Sequence, residues 1–205
     1  MARPKPYADA PRLPDGDGLD PRRLLGDAVE SVELEIGPGR GWFMVERLEV
    51  EPKVGLIGLE IRRKWASIVD ERLRRRGLGG RGRVFAEDAR RALPRIADAS
   101  LTVVYVHFPD PWWKKRHFKR LVVSDELLVE VARVLKPGGE LFVQTDVAER
   151  AGTYQQVVDR TGRFETGPEG ACVAQNPYGA RSPRERRAVE DGLPVYRLLY
   201  RRPAP

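Results

Sequence analysis

From residue 32 onward the chain alternates short apolar runs with longer amphipathic stretches, and no other feature narrows the possible folds so far. Runs such as TVVYVHF at 102–108 carry β-branched and aromatic residues at successive positions, the composition of a strand buried on both faces. Strands of this kind separated by helical segments form a parallel sheet covered on both sides. Strands are therefore predicted at 32–36, 56–60, 84–86, 102–107 and 140–145, with helices in the gaps. The helix before the last of these is the best marked. Ser124 suits its N-cap, Leu127, Leu128, Val131, Val134 and Leu135 form its apolar stripe, and Pro137-Gly138-Gly139 stops it. A further helix is expected after Asp146 as far as Asp159, and Phe164-Glu165 and 195–200 read as two antiparallel strands. The expected fold class is α/β, a doubly wound, mostly parallel sheet with an antiparallel C-terminal strand.

With 205 residues and 41% hydrophobic content the chain can bury one sizeable core, and no Ser/Gly-rich stretch divides it. One domain is expected over 29–205, preceded by an arm over 1–28. Residues 1–20 are rich in Pro, Gly and Asp without apolar periodicity, which suits an extended arm rather than a core element. Cys172 is the only cysteine, which excludes an intrachain disulfide framework, and no Cys/His cluster has zinc spacing. The first apolar run, VELEI, falls well short of the roughly 20 residues a membrane helix needs, and no signal-peptide core precedes it. The expectation is a soluble, unprocessed, metal-free protein of the cytoplasm, monomer or homodimer. Its net charge of +7 favours a polyanionic partner, because cations placed on phosphates release condensed counterions.

ELEIGPGRG, residues 33–41, sets glycines at 37, 39 and 41 directly after a strand and ahead of a helix. Glycine accepts positive φ and carries no Cβ, so backbone can approach a ligand closely there. A dinucleotide fingerprint would need glycine at 42, which is Trp42, and this counts against a nicotinamide or flavin enzyme. Two acids follow at strand ends. Glu60 suits the two hydroxyls of an adenosine ribose, and Asp88 suits an adenine amino group. Singly, each reads equally well as an exposed acid, and the turn as a tight connection; three features in register point to an adenosine-bearing ligand. Glu35 lies inside an apolar strand, where an acid is costly unless it meets a partner or ligand. It suits either the ammonium of a methionine moiety or a salt bridge to an arginine.

FPDPWWKKRHFKR, residues 108–120, begins at the carboxyl end of a predicted strand, where open α/β sheets bind ligands. Prolines restrict the backbone on both sides of Asp110, and the cations Lys114, Lys115, Arg116, Lys119 and Arg120 follow. In most proteins such a run is a solvated face; beside an adenosine site and an enclosed acid it reads as an RNA clamp. One of Trp112 and Trp113 suits stacking on a base, the other packing under the loop. Of two other basic clusters, 72–83 reads as a solvated face on a loop after a helix, and 181–187 as the better RNA candidate.

Together LEIGPGRG, GLEI, AEDA, FPDPWWKKRHFKR, LKPGGELFVQTD and GLPVYRLLY resemble the bacterial tRNA (guanine-N7-)-methyltransferases, over residues 32–201. The glycine turn and acids are shared by many methyltransferases, whereas FPDPW followed by a Lys/Arg/His cluster is close to a signature. KPYADAPRLP resembles the family's leading arm. The resemblance implies a Rossmann-like class I methyltransferase fold, S-adenosylmethionine as cofactor and tRNA as partner. It implies cofactor contacts for Glu35, Gly37, Gly39, Glu60, Asp88 and Asp110, with catalytic weight on Asp110. It implies substrate contacts for Lys114, Asp146, Ser182 and Glu185, and RNA contacts for Arg116, His117, Phe118, Lys119, Arg120 and Leu121. The chain departs from the family where Thr-x-Phe/Tyr-Glu is usual, reading Ser182-Pro183-Arg184-Glu185 and so losing the aromatic. The expected reaction is methylation of N7 of a guanosine in the tRNA variable loop. Methylation of another RNA guanine is one alternative. An RNA-binding module with a degenerate cofactor pocket is another, against which the intact Glu35, Gly37, Gly39, Glu60 and Asp88 argue.

Overall fold

The structure, a computed structural model, describes residues 7–26, 28–109 and 123–204. Its strands are β1 Ser31–Ile36, β2 Val54–Leu59, β3 Gly82–Phe85, β4 Leu101–His107, β5 Leu135–Thr145 and β6 Tyr196–Arg201, joined in one sheet of order β3-β2-β1-β4-β5-β6. The first five pair in parallel and β6 runs antiparallel to β5. The helices are α1 Trp42–Val50, α2 Arg63–Arg75, α3 Ala89–Ala92, α4 Asp125–Val134, α5 Ala148–Thr161 and α6 Pro183–Glu190. This is the expected Rossmann-like, mostly parallel sheet with its antiparallel C-terminal strand. Strand order reverses between β1 and β4, and the crevice at that switch point is where such sheets bind ligands.

The central strand β1 shows why two layers form. Alternation along a strand sends Val32, Leu34 and Ile36 into one apolar layer, with Leu127, Leu128 and Val131 of α4 and Tyr154 and Val158 of α5. The opposite face carries Glu33 and Glu35 toward a second layer containing Phe43, Met44 and Leu48 of α1 and Val69 and Leu73 of α2. Glu33 is tied by Arg47 Nη2 at 2.7 Å and Nε at 2.9 Å, and by the Tyr105 hydroxyl at 2.8 Å. Arg47 also donates to the Tyr178 carbonyl at 3.0 Å, and the Tyr178 hydroxyl donates to Glu140 at 2.8 Å. The acid is tolerated inside the sheet because each of its oxygens is satisfied.

Several details depart from expectation. The helix α4 ends at Val134, and Pro137-Gly138-Gly139 lies inside β5 rather than before it. Gly138 N–H and Gly139 C=O both bond to Arg202 at 2.8 Å, and the pairing with β4 shifts register between Leu101 and Val103, so the glycines absorb a bulge in a continuing strand. Phe164-Glu165 does not form a strand: Glu165 makes a single bridge to Arg201. The first 20 residues lack repeating structure over most of their described length, yet Ala10 and Leu13 enter the buried layers. Pro11 C=O accepts from Ala86 N–H at 2.7 Å, just past the edge strand β3, which leaves such groups open for the arm.

The 72–83 cluster is also differently placed, since Arg72, Arg74 and Arg75 lie on α2 itself. Arg81 caps the carbonyls of Leu48, Glu51 and Val54, and Arg83 binds Asp70. Among the described residues no helix is long and apolar enough to cross a membrane.

Candidate active site

A cleft of about 770 Å³ opens where β1, β2, β3 and β4 end. The turn after β1 forms its floor. Gly37, Gly39 and Gly41 have φ of 70°, 54° and 68°, values that L side chains rarely adopt. A Cβ at Gly41 would also lie 2.1 Å from Val69 Cγ1, so only glycine lets this turn pack against α2. Gly39 N–H donates to Glu60 Oε2 at 3.0 Å, linking the turn to the end of β2.

Of the residues expected to contact the cofactor, those within the described range, Glu35, Gly37, Gly39, Glu60 and Asp88, all line the same cleft. Glu60 is 2% exposed, and its Oε1 accepts the Arg62 N–H at 2.9 Å. These bonds fix the carboxylate while leaving lone pairs for hydroxyl donors. Asp88 caps α3 by accepting the Arg90 N–H and pairs with the Arg90 guanidinium at 2.6 Å. That hydrogen bond holds the Asp88 carboxyl below the usual range. Glu35 meets His107 Nδ1 at 2.8 Å rather than an arginine; the arginine pairing expected as its alternative belongs to its neighbour Glu33. Glu35 Oε2 and His107 Nε2 are buried without a hydrogen-bond partner among the described residues. An orphaned carboxylate oxygen in a ligand cleft is costly in isolation and suits a cationic donor.

Phe108 leaves β4 with φ of 45°, an uncommon backbone state for a bulky residue. The Arg184 guanidinium lies 5.5 Å from its ring centroid. Arg184 also clamps Asp146 at the end of β5, with Nε and Nη2 at 3.0 and 3.1 Å from its two oxygens. The residue that replaces the family's aromatic thus reaches from Phe108 in the cleft lining to Asp146, which does not itself line the cleft.

Ser182 and Arg184 line the cleft, whereas Glu185 does not. The Ser182 hydroxyl accepts the Glu185 N–H at 3.1 Å and caps α6. Glu185 is fully buried, with its oxygens on Arg197 and Asn176 at 2.9 Å each, so it holds α6 in place instead of facing a substrate. Asp110, Lys114, Arg116, His117, Phe118, Lys119, Arg120 and Leu121, and with them Trp112 and Trp113, lie outside the described residues.

Sequence reasoning passed over His107 and the bridging role of Arg184. A polar residue closing an apolar strand just before FPDPW was the available signal for His107. Nothing local signals Arg184, whose partners lie far away in the chain. Among the described residues no group of three or more His, Cys, Asp or Glu is arranged to hold a metal ion.

A sheet of this order, with a glycine turn and strand-end acids around a cleft at its switch point, defines a class I S-adenosylmethionine-dependent methyltransferase. The fold is shared with the 16S rRNA methyltransferase KamB (TM-score 0.62, 16% identity, covering 89% of this chain and 92% of that one) and with the aminoglycoside resistance methyltransferase NpmB1 (0.54, 20%, 86% and 89%). The profile of the family described as "Putative methyltransferase" matches residues 29–198. The tRNA (guanine-N(7)-)-methyltransferase of Synechococcus sp. strain WH7803 is 37% identical over 190 residues, 89% of this chain and 79% of that protein. That of Paramagnetospirillum magneticum is 38% identical, covering 91% of this chain and 78% of that protein. The chain belongs to the tRNA (guanine-N7-)-methyltransferase family.

Proposed function

We propose that this protein methylates N7 of a guanosine in tRNA, within the variable loop, using S-adenosylmethionine. The observation that carries the reading is the buried, unpartnered Glu35 Oε2 beside the glycine turn, in one cleft with Glu60 and Asp88. Glu35 then accepts the cofactor's ammonium group, Glu60 its ribose hydroxyls and Asp88 its adenine amino group, while Gly37 and Gly39 allow close backbone approach. The cofactor, when bound, supplies an electrophilic methyl group on a sulfonium.

Guanine N7 has an in-plane lone pair and carries no proton at neutral pH, so no general base is needed to create the nucleophile. The protein's task is positioning, which for well-aligned reactants is worth about 7 to 11 kcal/mol. Asp110 or Asp146 accepts from the guanine N1–H and N2–H edge, a pair of donors adenine lacks. The same carboxylates offset the positive charge the purine gains toward the transition state. Arg184 orients Asp146 for this role, and Lys114 with 116–121 holds the RNA. A tRNA substrate suits a protein acting in the cytoplasm.

Incubation with labelled S-adenosylmethionine and unmodified tRNA tests the reading. Cleavage at a single alkali-labile variable-loop guanosine is expected. No incorporation, or label elsewhere on guanine, overturns it.

A further inference from the structure

On the α1–α2 flank of the cleft, cations without a carboxylate partner among the described residues gather beside two tryptophans. At the far end of α2, Arg74, Arg75 and the capping Arg76 each pair with an acid, namely Asp70, Glu71 and Glu49. Arg40, Arg63, Lys64 and Arg72 have no carboxylate partner among the described residues, and three of them lie instead on indole rings. Arg72 lies 4.4 Å from the Trp42 ring centroid, Arg40 5.4 Å from that of Trp65, and Lys64 5.9 Å from the same ring. The two stacks are joined, because the Arg72 guanidinium donates to the Arg40 carbonyl. Trp42 is 39% exposed, and it and Arg40 line the rim of the cleft. Burial, and then the cations of Arg76 and Arg40, push Arg72 below the usual guanidinium range.

A cation stacked on an indole is ordered in advance while its N–H groups stay available, so less freedom is lost when it meets an anion. Like charges gathered without counter-charge raise the local positive potential, which a chain of phosphates relieves at several points at once. Exposed aromatic faces interleaved with cations are also what unstacked nucleotides bind.

We infer that Arg40, Arg63, Lys64 and Arg72, together with Trp42 and Trp65, form a second docking surface for RNA backbone on the α1–α2 rim of the cleft, additional to the cationic segment 116–121. The inference rests on tRNA being the substrate. It adds the entrance of the cofactor cleft to the RNA footprint that the sequence assigns to 116–121.

Two measurements test it. In the wild-type protein, acylation of Lys64 read by mass spectrometry is expected to slow several-fold when tRNA is added. In the double variant Arg63→Gln/Lys64→Gln, which removes no ion pair or hydrogen bond among the described residues, tRNA affinity is followed against salt. The slope of log K against log salt is expected to fall by about 1.4 to 1.8, with binding at least about fivefold weaker at 0.1 M salt. The control Lys136→Gln/Arg163→Gln, with the same change in net charge, is expected to bind within about twofold of wild type on general electrostatics. Lys64 unprotected, with both doubles alike, overturns this inference and leaves the tRNA reading intact. Wild-type protein that neither binds nor methylates tRNA overturns the proposed function, and this surface with it.

Discussion

Glu35 Oε1 and His107 Nδ1 stand 2.8 Å apart at the floor of the cleft, their side chains 3% and 4% exposed. One comes from β1 and the other from β4, so the pair straddles the switch point of the sheet. The imidazole holds one carboxylate oxygen in place and leaves the other, Oε2, as the buried acceptor facing no partner among the described residues. His107 is therefore a positioning residue for Glu35.

Glu35→Gln is expected to weaken S-adenosylmethionine binding about 10- to 100-fold, the loss of one charge-assisted hydrogen bond. Isothermal titration calorimetry measures it, and an affinity within twofold of wild type would remove Glu35 from the ammonium site.

Arg47→Ala strands the Glu33 charge inside the second apolar layer and is expected to destabilise the fold by about 3 to 5 kcal/mol. Replacing both partners, as Glu33→Gln with Arg47→Met, should recover much of that loss. Urea denaturation of the single and double variants tests both statements. Equal instability in the two would mean that volume, not stranded charge, governs this site.

The Arg184–Asp146 pair is half in solvent, with side chains 54% and 20% exposed. Arg184→Ala should thus change stability by less than about 1 kcal/mol. Its kcat/KM for tRNA should nevertheless drop on the order of tenfold, because Asp146 loses the bidentate contact that orients it. Arg184→Lys, which cannot make that contact, should not restore it. Unchanged steady-state kinetics in the alanine variant would show that the clamp is incidental.

Alkaline pH should destabilise the protein in a specific window. Burial, followed by Glu33 for Tyr105, Glu140 for Tyr178 and Asp159 for Tyr200, raises each phenol above its ordinary value of 10.0. Unfolding above that pH releases protons, so the stability is complete below pH 10 and lost as pH climbs toward the folded-state values. The expected slope is about 1.4 kcal/mol per pH unit for each phenol that stays protonated in the fold. Denaturation midpoints from pH 8 to 11 follow it, and Tyr178→Phe should make the decline shallower; the same slope in that variant would exclude Tyr178.

Asp110→Ala should lower kcat by at least about 100-fold with the circular dichroism spectrum preserved, as expected when a group stabilising transition-state charge is removed. Lys119→Ala should instead weaken tRNA binding and lower its salt slope by about 1. Near-normal turnover without Asp110 would displace the reacting guanine from this loop.

The strand sequence of the sheet, the glycine turn and the acids Glu60 and Asp88 were legible because they obey short-range rules: residue alternation, positive φ at glycine, and acids that follow strands. Family motifs made the chemistry legible from a few contiguous residues. The pairing of Glu35 with His107, the tie of Glu33 to Arg47, the withdrawal of Glu185 behind Ser182, and the reach of Arg184 to Asp146 and Phe108 all join segments distant in the chain. Only the closed sheet brings those groups together, since hydrogen bonds act over about 3 Å and carry no signature in local periodicity. The sequence by itself determined the order of strands and helices, the glycine turn and the acids at the strand ends. The tertiary structure decided which side chains face the cleft and which hold others in position, because a buried charge is costly unless a partner meets it and those partners come from distant segments.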